Sequence, residues 1–266
     1  MINLGISSAC FYPLETEASL ELIGKNGIKT SEIFFNSLGE LKASFVKELL
    51  QIKNNYGIEI VSIHPTFSLA ESFMMFSGYD RRYYEGLDLY KRYAEIAAEL
   101  GAKFVVMHGA KPNDVLDDLG FCERFCGIAE HVKKNGAMLL QENVAKYRAG
   151  NLETLKLMKN TLGEYANFCL DVKQCIRGGY SPFDALELLN NSVKHIHISD
   201  NNSEYDCLLP LKGDYDLIAF FEKANSVNYN GSALIEVYKN AYDDRKEVFD
   251  AYYSFKDILN KNYLEI

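Results

Sequence analysis

A single (β/α)8 barrel of the α/β class, one domain over residues 1–266, is the architecture the sequence predicts, on three observations. β-rich runs recur eight times, most of them entered through a Gly or Asn turn and left through an amphipathic stretch. The 266 residues lie near the roughly 200–250 residues of one-domain α/β barrels, with no Pro- or Ser-rich seam between two halves. Alternate positions of the runs end, strand after strand, in a residue able to ligate metal or move a proton. A doubly wound dinucleotide-binding sheet would carry a Gly-rich loop after its first strand, and none follows here.

The runs are INLGIS from residue 2, SEIFFN from 31, IEIVSIH from 58, KFVVMHG from 103, AMLLQEN from 137, NFCLDV from 167, KHIHISD from 194 and ALIEV from 233. They are rich in Val, Ile and Phe, which suit a pleated surface covered by helices. Turns at 26–28 (NGI), 56–58 (YGI), 100–102 (LGA), 135–137 (NGA), 162–164 (LGE) and 230–232 (NGS) supply glycine for left-handed helix ends. Between runs the spacing turns helical: over 86–100, Leu87, Tyr90, Ala94, Ala97 and Leu100 share one face. Eight helices are expected, the last around 244–260. The aromatic segment 66–84 after the third run (TFSLAESFMMFSGYDRRYY) reads as a lid or pocket wall, or as a contact in a homo-oligomer.

Composition narrows the function classes. With 48% apolar and 24% charged residues the chain can bury a large core, which excludes a disordered protein. A formal charge of −9 argues against nucleic acid or an anionic membrane as partner. No run reaches the roughly 18 apolar residues of a membrane span, and MINLGISSACFYPLETE has no signal-peptide pattern. The six cysteines therefore read as reduced thiols of a cytoplasmic protein, with Cys122 and Cys126 packing on one helix face.

Side chains of a strand alternate between faces. One parity holds Val61 and Ile63, Val105 and Met107, Leu139 and Gln141, Phe168 and Leu170, Ile196 and Ile198, Ile235 and Val237, apolar throughout except Gln141. The other ends in Asn36, His64, His108, Glu142, Asp171, His197 and Glu236. Of the five histidines, His64, His108, His195 and His197 share that inward parity, and His131 lies in a helix. His195 is expected one layer below the others, as a satisfied core histidine. In a barrel the strand ends converge on the C-terminal mouth, where catalysis is placed.

Glu142, Asp171 and Glu236 would crowd three carboxylates there. Each like-charged pair at about 4 Å costs roughly 4 kcal/mol at an effective dielectric near 20. Protons or a cation must relieve that, and His197 adds a nitrogen. Three carboxylates and an imidazole suit one divalent ion, Mn²⁺ first, with Mg²⁺, Co²⁺ or Zn²⁺ as alternatives. His64 and His108 would hold a second ion through a bridging Glu142, or bind substrate or water. Lys111, Lys146, Arg148, Lys173, Arg177, Lys212 and Lys239 follow the strands as rim charges, one or two of which would meet a substrate phosphate or carboxylate.

Seven segments, SIHP (62–65), AAELGAKFVVMHGAK (97–111), LLQEN (139–143), CLDVKQ (169–174), HIHISD (195–200), LPLKGDYD (209–216) and LIEV (234–237), carry a resemblance over essentially the whole chain. In this order they resemble the xylose isomerase-like TIM barrels, which include sugar and sugar-phosphate isomerases and epimerases and the endonuclease IV type of DNA-repair enzyme. The resemblance implies that Glu142, Asp171, His197 and Glu236 bind one divalent metal, as in the family's ketose epimerases. It also implies a carbohydrate substrate, with Glu142 and Glu236 moving a proton beside a carbonyl through a metal-stabilised enediolate. His64, His108, Gln174, Lys111 and Asn36 would face the substrate or a second metal.

Two departures choose among branches. The nuclease's third zinc uses a His where this chain has Gln174, and an Asp-x-His pair where it has Asp206 followed by Leu208, so a nuclease with an incomplete metal cluster is the second reading. Gln174 also replaces a substrate-touching His of many sugar-binding members, and SDNNSEY (199–205) lacks the Arg that epimerases often place there. An amide bonds but is neither acid nor base at pH 7. A sugar-acid or keto-polyol dehydratase using the same enolate, and a non-catalytic sugar-binding barrel, stay open.

Overall fold

The structure, a computed structural model, describes residues 2–65 and 68–262. Its eight strands are β1 (Asn3–Ser7), β2 (Thr30–Phe34), β3 (Glu59–His64), β4 (Phe104–Met107), β5 (Met138–Glu142), β6 (Phe168–Asp171), β7 (Val193–Ile198) and β8 (Ser232–Ile235). All pair in parallel, in chain order, and β8 closes on β1 with Leu4 opposite Ala233 and Ile6 opposite Ile235. The expected closed barrel is the observed one.

Among the described residues ten α-helices cover it, where eight were expected: α1 (Thr16–Lys25), α2 (Ala43–Tyr56), α3 (Ser68–Met75), α4 (Asp80–Leu100), α5 (Asp118–Lys134), α6 (Leu152–Thr161), α7 (Val172–Gly178), α8 (Pro182–Leu189), α9 (Leu217–Ser226) and α10 (Lys246–Lys261). The crossovers β3 to β4 and β6 to β7 each hold two. In the second, Gly179 (φ 75°) stops α7, and Ser181 caps a fresh helix that starts on Pro182. Gly101 ends α4 in the left-handed region as expected. After α9, by contrast, Asn228 (φ 58°) takes that conformation, ahead of the NGS turn that was expected to supply it.

Outward-facing strand residues such as Ile63, Val105, Leu139, Phe168 and Ile196 pack with buried helix residues, including Tyr90, Ala94, Ala97 and Leu100 of α4, into one core. Inside the barrel Val106, Leu140 and Cys169 form a separate apolar layer, which plugs the lumen so that the mouth is a cup and not a channel. One-residue register shifts lie beside Glu32 in the β2–β3 pair and beside Cys169 in the β6–β7 pair. Such irregularities re-aim side chains, and both sit on strands that carry residues of the mouth. Among the described residues no helix is long and apolar enough to cross a membrane.

Candidate functional site

Glu142, the last residue of β5, organises the mouth. Its Oε2 lies 3.0 Å from His108 Nε2 and 3.3 Å from His64 Nε2, and its Oε1 lies 3.3 Å from His197 Nδ1. The two Nε2 atoms of His64 and His108 are 3.2 Å apart, and His64 turns its Nδ1 to the Pro65 carbonyl at 3.2 Å. His197 Nδ1 also faces Glu236 Oε2 at 3.4 Å and Asp171 Oδ2 at 3.8 Å. Thus the strand-end residues His64, His108, Glu142, Asp171, His197 and Glu236 meet at one point, all buried except the partly exposed His108.

Three further residues hold this arrangement. Asn143 Oδ1 accepts the Asp171 N–H at 2.7 Å and its amide donates to the Asp171 carbonyl, locking the end of β5 to that of β6. Glu71 of α3 accepts the backbone N–H groups of His108 and Gly109 with one oxygen and the Tyr90 hydroxyl with the other. Gln141, the polar exception among the outward-facing pairs named above, donates to the carbonyls of Met107, His108 and Glu142. Gly109 (φ 84°) lets the chain turn over this amide, since a Cβ there would lie 2.8 Å from Gln141 Oε1.

Beneath the mouth lies Glu32, with 0% exposure, which the sequence reading passed over. Ser7 and Ser62 donate to its two oxygens at 3.0 and 2.7 Å, and His197 Nε2 and His195 Nε2 stand 3.3 and 3.5 Å from its Oε2. Burial alone would raise its pKa; the charge of His197 and the bonds from His195 and His197 hold it well below the usual carboxylate range. His195 sits one layer down as expected, but it is only half satisfied, because its buried Nδ1 has no partner. Burial depresses its pKa, against the opposing pull of Glu32.

Lys173 is the larger correction. Read as a rim charge, it is 2% exposed and its Nζ bonds Asp171 Oδ2 and Glu236 Oε2. Those carboxylates raise its pKa against the effect of burial. Burial, with Glu142 and Glu236 nearby, brings Asp171 up to about 7 even beside this cation. Burial acts on Glu142 in the same sense, but the His108, His197 and His64 rings outweigh it and keep Glu142 ionised, while Glu142 in turn lifts the buried His64 to about 9.

The cluster opens on a cavity of about 430 Å³, of small-molecule size. Asn36 and Gln174 line it together with Phe34, Tyr147 and Tyr238. The amide of Asn36 is engaged by Thr16 Oγ1 and the Phe34 carbonyl, and Gln174 Oε1 accepts the Ala145 N–H, which fixes the Gln174 amide and leaves its NH₂ without a protein acceptor among the described residues. Lys111 is not among the residues lining this cavity, but its Nζ lies 3.6 Å from the centre of the ring of Tyr147, which does line it. Other basic residues are engaged elsewhere, Arg148 with Asp114 and Asp118, and Arg177 with both oxygens of Asp206. Lys146, Lys212 and Lys239 are exposed. The expected lid, 66–84, falls partly outside the described residues. None of its described residues lines the mouth cavity, and Ala70, Glu71, Met74 and Met75 instead line a small apolar cavity against α4.

The donor chemistry fits a divalent ion. Glu142, Asp171, His197 and Glu236 each offer one ligand atom within 4.8 Å of the other three, and His64, His108 and Glu142 form a second such group. The far nitrogen of His197 is held by Glu32, the carboxylate–imidazole arrangement that orients metal-binding histidines.

With barrel and mouth described, the class is defined: the chain belongs to the xylose isomerase-like TIM barrel family, whose model matches residues 20–253. An uncharacterized protein of Methanocaldococcus jannaschii, MJ1311, is 27% identical over 282 residues, an alignment spanning all of this chain and 90% of that one. Among solved structures, a D-tagatose 3-epimerase-like protein superposes with a TM-score of 0.79 at 20% identity, over 98% of this chain and 100% of its own. The 3-keto-D-glucoside 4-epimerase YcjR of E. coli gives 0.77 at 18% identity, over 97% and 100%. These superpositions establish a common fold over the full barrel.

Proposed function

We propose that the chain is a sugar or sugar-phosphate isomerase or epimerase that moves a proton beside a carbonyl, with a divalent ion, Mn²⁺ foremost, on Glu142, Asp171, His197 and Glu236. The observation that carries this reading is the convergence of those four buried donors, within 4.8 Å of one another, on a cavity of about 430 Å³. The epimerase activity named for YcjR and the epimerase-like name of the other similar structure support it at the level of the family.

A bound ion would supply Lewis-acid polarisation of a carbonyl oxygen. Glu142 and Glu236 approach His197 Nδ1 at 3.3 and 3.4 Å through separate carboxylate oxygens. One takes the proton from the carbon beside the carbonyl, and the other returns a proton to the reacting unit, so no oxidant or reductant is consumed. His64 and His108 donate to substrate oxygens or a water. Phe34 and Tyr147 wall the cavity against solvent, and Gln174 offers an N–H in place of an acid or base. The nuclease reading is the weaker because Gln174 and Leu208 stand where its third ion would take histidines, and Asp206 pairs with Arg177.

The test is solvent exchange. In D₂O the Mn²⁺-loaded protein, offered ketohexoses and ketopentoses with and without phosphate, exchanges a C–H beside the carbonyl of its substrate. Glu142→Gln and Glu236→Gln each slow this by roughly 10²–10⁴-fold. Exchange at the wild-type rate in both variants rules out the two-carboxylate mechanism.

A further inference from the structure

The mouth already contains a cation. Lys173, the second residue of α7, is 2% exposed, and its Nζ bonds Asp171 and Glu236. The atoms it holds are the ones an ion would need. Asp171 Oδ1 accepts the Gln174 N–H as the cap of α7, which leaves Oδ2 to face the cluster, and Lys173 is on Oδ2. On Glu236 it holds Oε2, the oxygen that also faces His197 Nδ1. An ammonium and a divalent ion on the same two oxygens of a buried pocket repel one another and compete for their lone pairs. The ammonium has a way out: the ring of Tyr238, half exposed on the cavity wall, lies 5.7 Å from Nζ and offers a cation–π surface nearer solvent.

We infer that Lys173 is an internal counter-cation that competes with the divalent ion for Asp171 and Glu236, holding the pair together in the ion-free protein and swinging toward Tyr238 as the ion binds. This rests on the reading of Glu142, Asp171, His197 and Glu236 as the ion's ligands. It makes Lys173 a residue that weakens metal binding.

The experiment compares the full-length wild type with Lys173→Met and Lys173→Gln, each stripped with EDTA, by calorimetric titration with Mn²⁺ and by thermal melts in EDTA. Competition predicts that both variants bind Mn²⁺ at least tenfold more tightly than wild type. It also predicts that they melt lower in EDTA and gain more from Mn²⁺. Equal affinities in all three proteins would overturn the competition and leave the metal site standing; weaker binding by the variants would make Lys173 a support of the site and also overturn it. Failure of all three to bind would overturn the metal site and the competition together. Should neither variant fold, the wild type labelled with ¹⁵N-lysine decides. A slowly exchanging ammonium signal in EDTA that is lost on Zn²⁺ saturation supports displacement, and one that persists unchanged refutes it.

Discussion

Glu32 bears its charge without exposure because Ser7, Ser62 and the rings of His195 and His197 all meet it. Removing it as Glu32→Ala leaves those groups facing each other unpaired and costs about 3 kcal/mol or more, read as a clear drop in melting temperature; a melt unchanged within a degree would contradict this. Glu32→Gln keeps the shape but weakens the orientation of His197, and Mn²⁺ affinity falls about 10–100-fold by calorimetry. The thiols give a second check at this scale. Burial pushes Cys10 and Cys169 up to about 12 and Cys175 further, and among the six cysteines Cys126 alone is not buried. Partial burial and Glu130 push the Cys126 thiol up as well, so native protein at pH 8 reacts slowly with a disulfide reagent at about one thiol per chain ahead of the other five, and several fast thiols would contradict the packing. Glu32 was legible in principle, since it shares the inward parity of Asn36 in SEIFFN, but it stands in mid-strand, below the level at which strand ends form the mouth. Lys173 was not legible, because position two of a helix does not say whether a long side chain reaches outward or folds back onto Asp171.

Elements beyond the strands hold the mouth in register. The α3 helix, from the segment expected to form a lid, sends Glu71 under β4 to take the N–H groups of His108 and Gly109. Glu71→Ala orphans both and the Tyr90 hydroxyl, and costs roughly 2 kcal/mol or more in denaturant unfolding. With His108 no longer fixed, exchange activity falls more than the melt alone explains. Retention of full activity and stability would show that α3 does not brace the site. Aromatic content marked this segment as special, but Phe and Tyr serve a wall and a buttress alike, and only the partner of Glu71 distinguishes them. The extra helices follow similar logic: Gly179 and Ser181–Pro182 are readable stop and start signals once each crossover need not be a single helix.

At the scale of the whole molecule the barrel was fully legible, because eight recurrences of strand, polar end and helix leave few other closures. The convergence of His64, His108, Glu142, Asp171, His197 and Glu236 followed from parity alone, since a strand's alternate residues must face the lumen. What parity could not give was the charge balance of the cup, which depends on Glu32 below and Lys173 beside the carboxylates. The balance is what a bound metal must enter, and its stoichiometry is therefore the most direct measurement. Protein purified without a chelating tag and analysed by plasma mass spectrometry, as isolated and after reconstitution, is predicted to hold close to one divalent ion per chain, with Glu142→Gln and Asp171→Asn each losing it. Two or three zinc ions per chain would return the nuclease reading. No bound metal even after reconstitution would contradict the proposed centre.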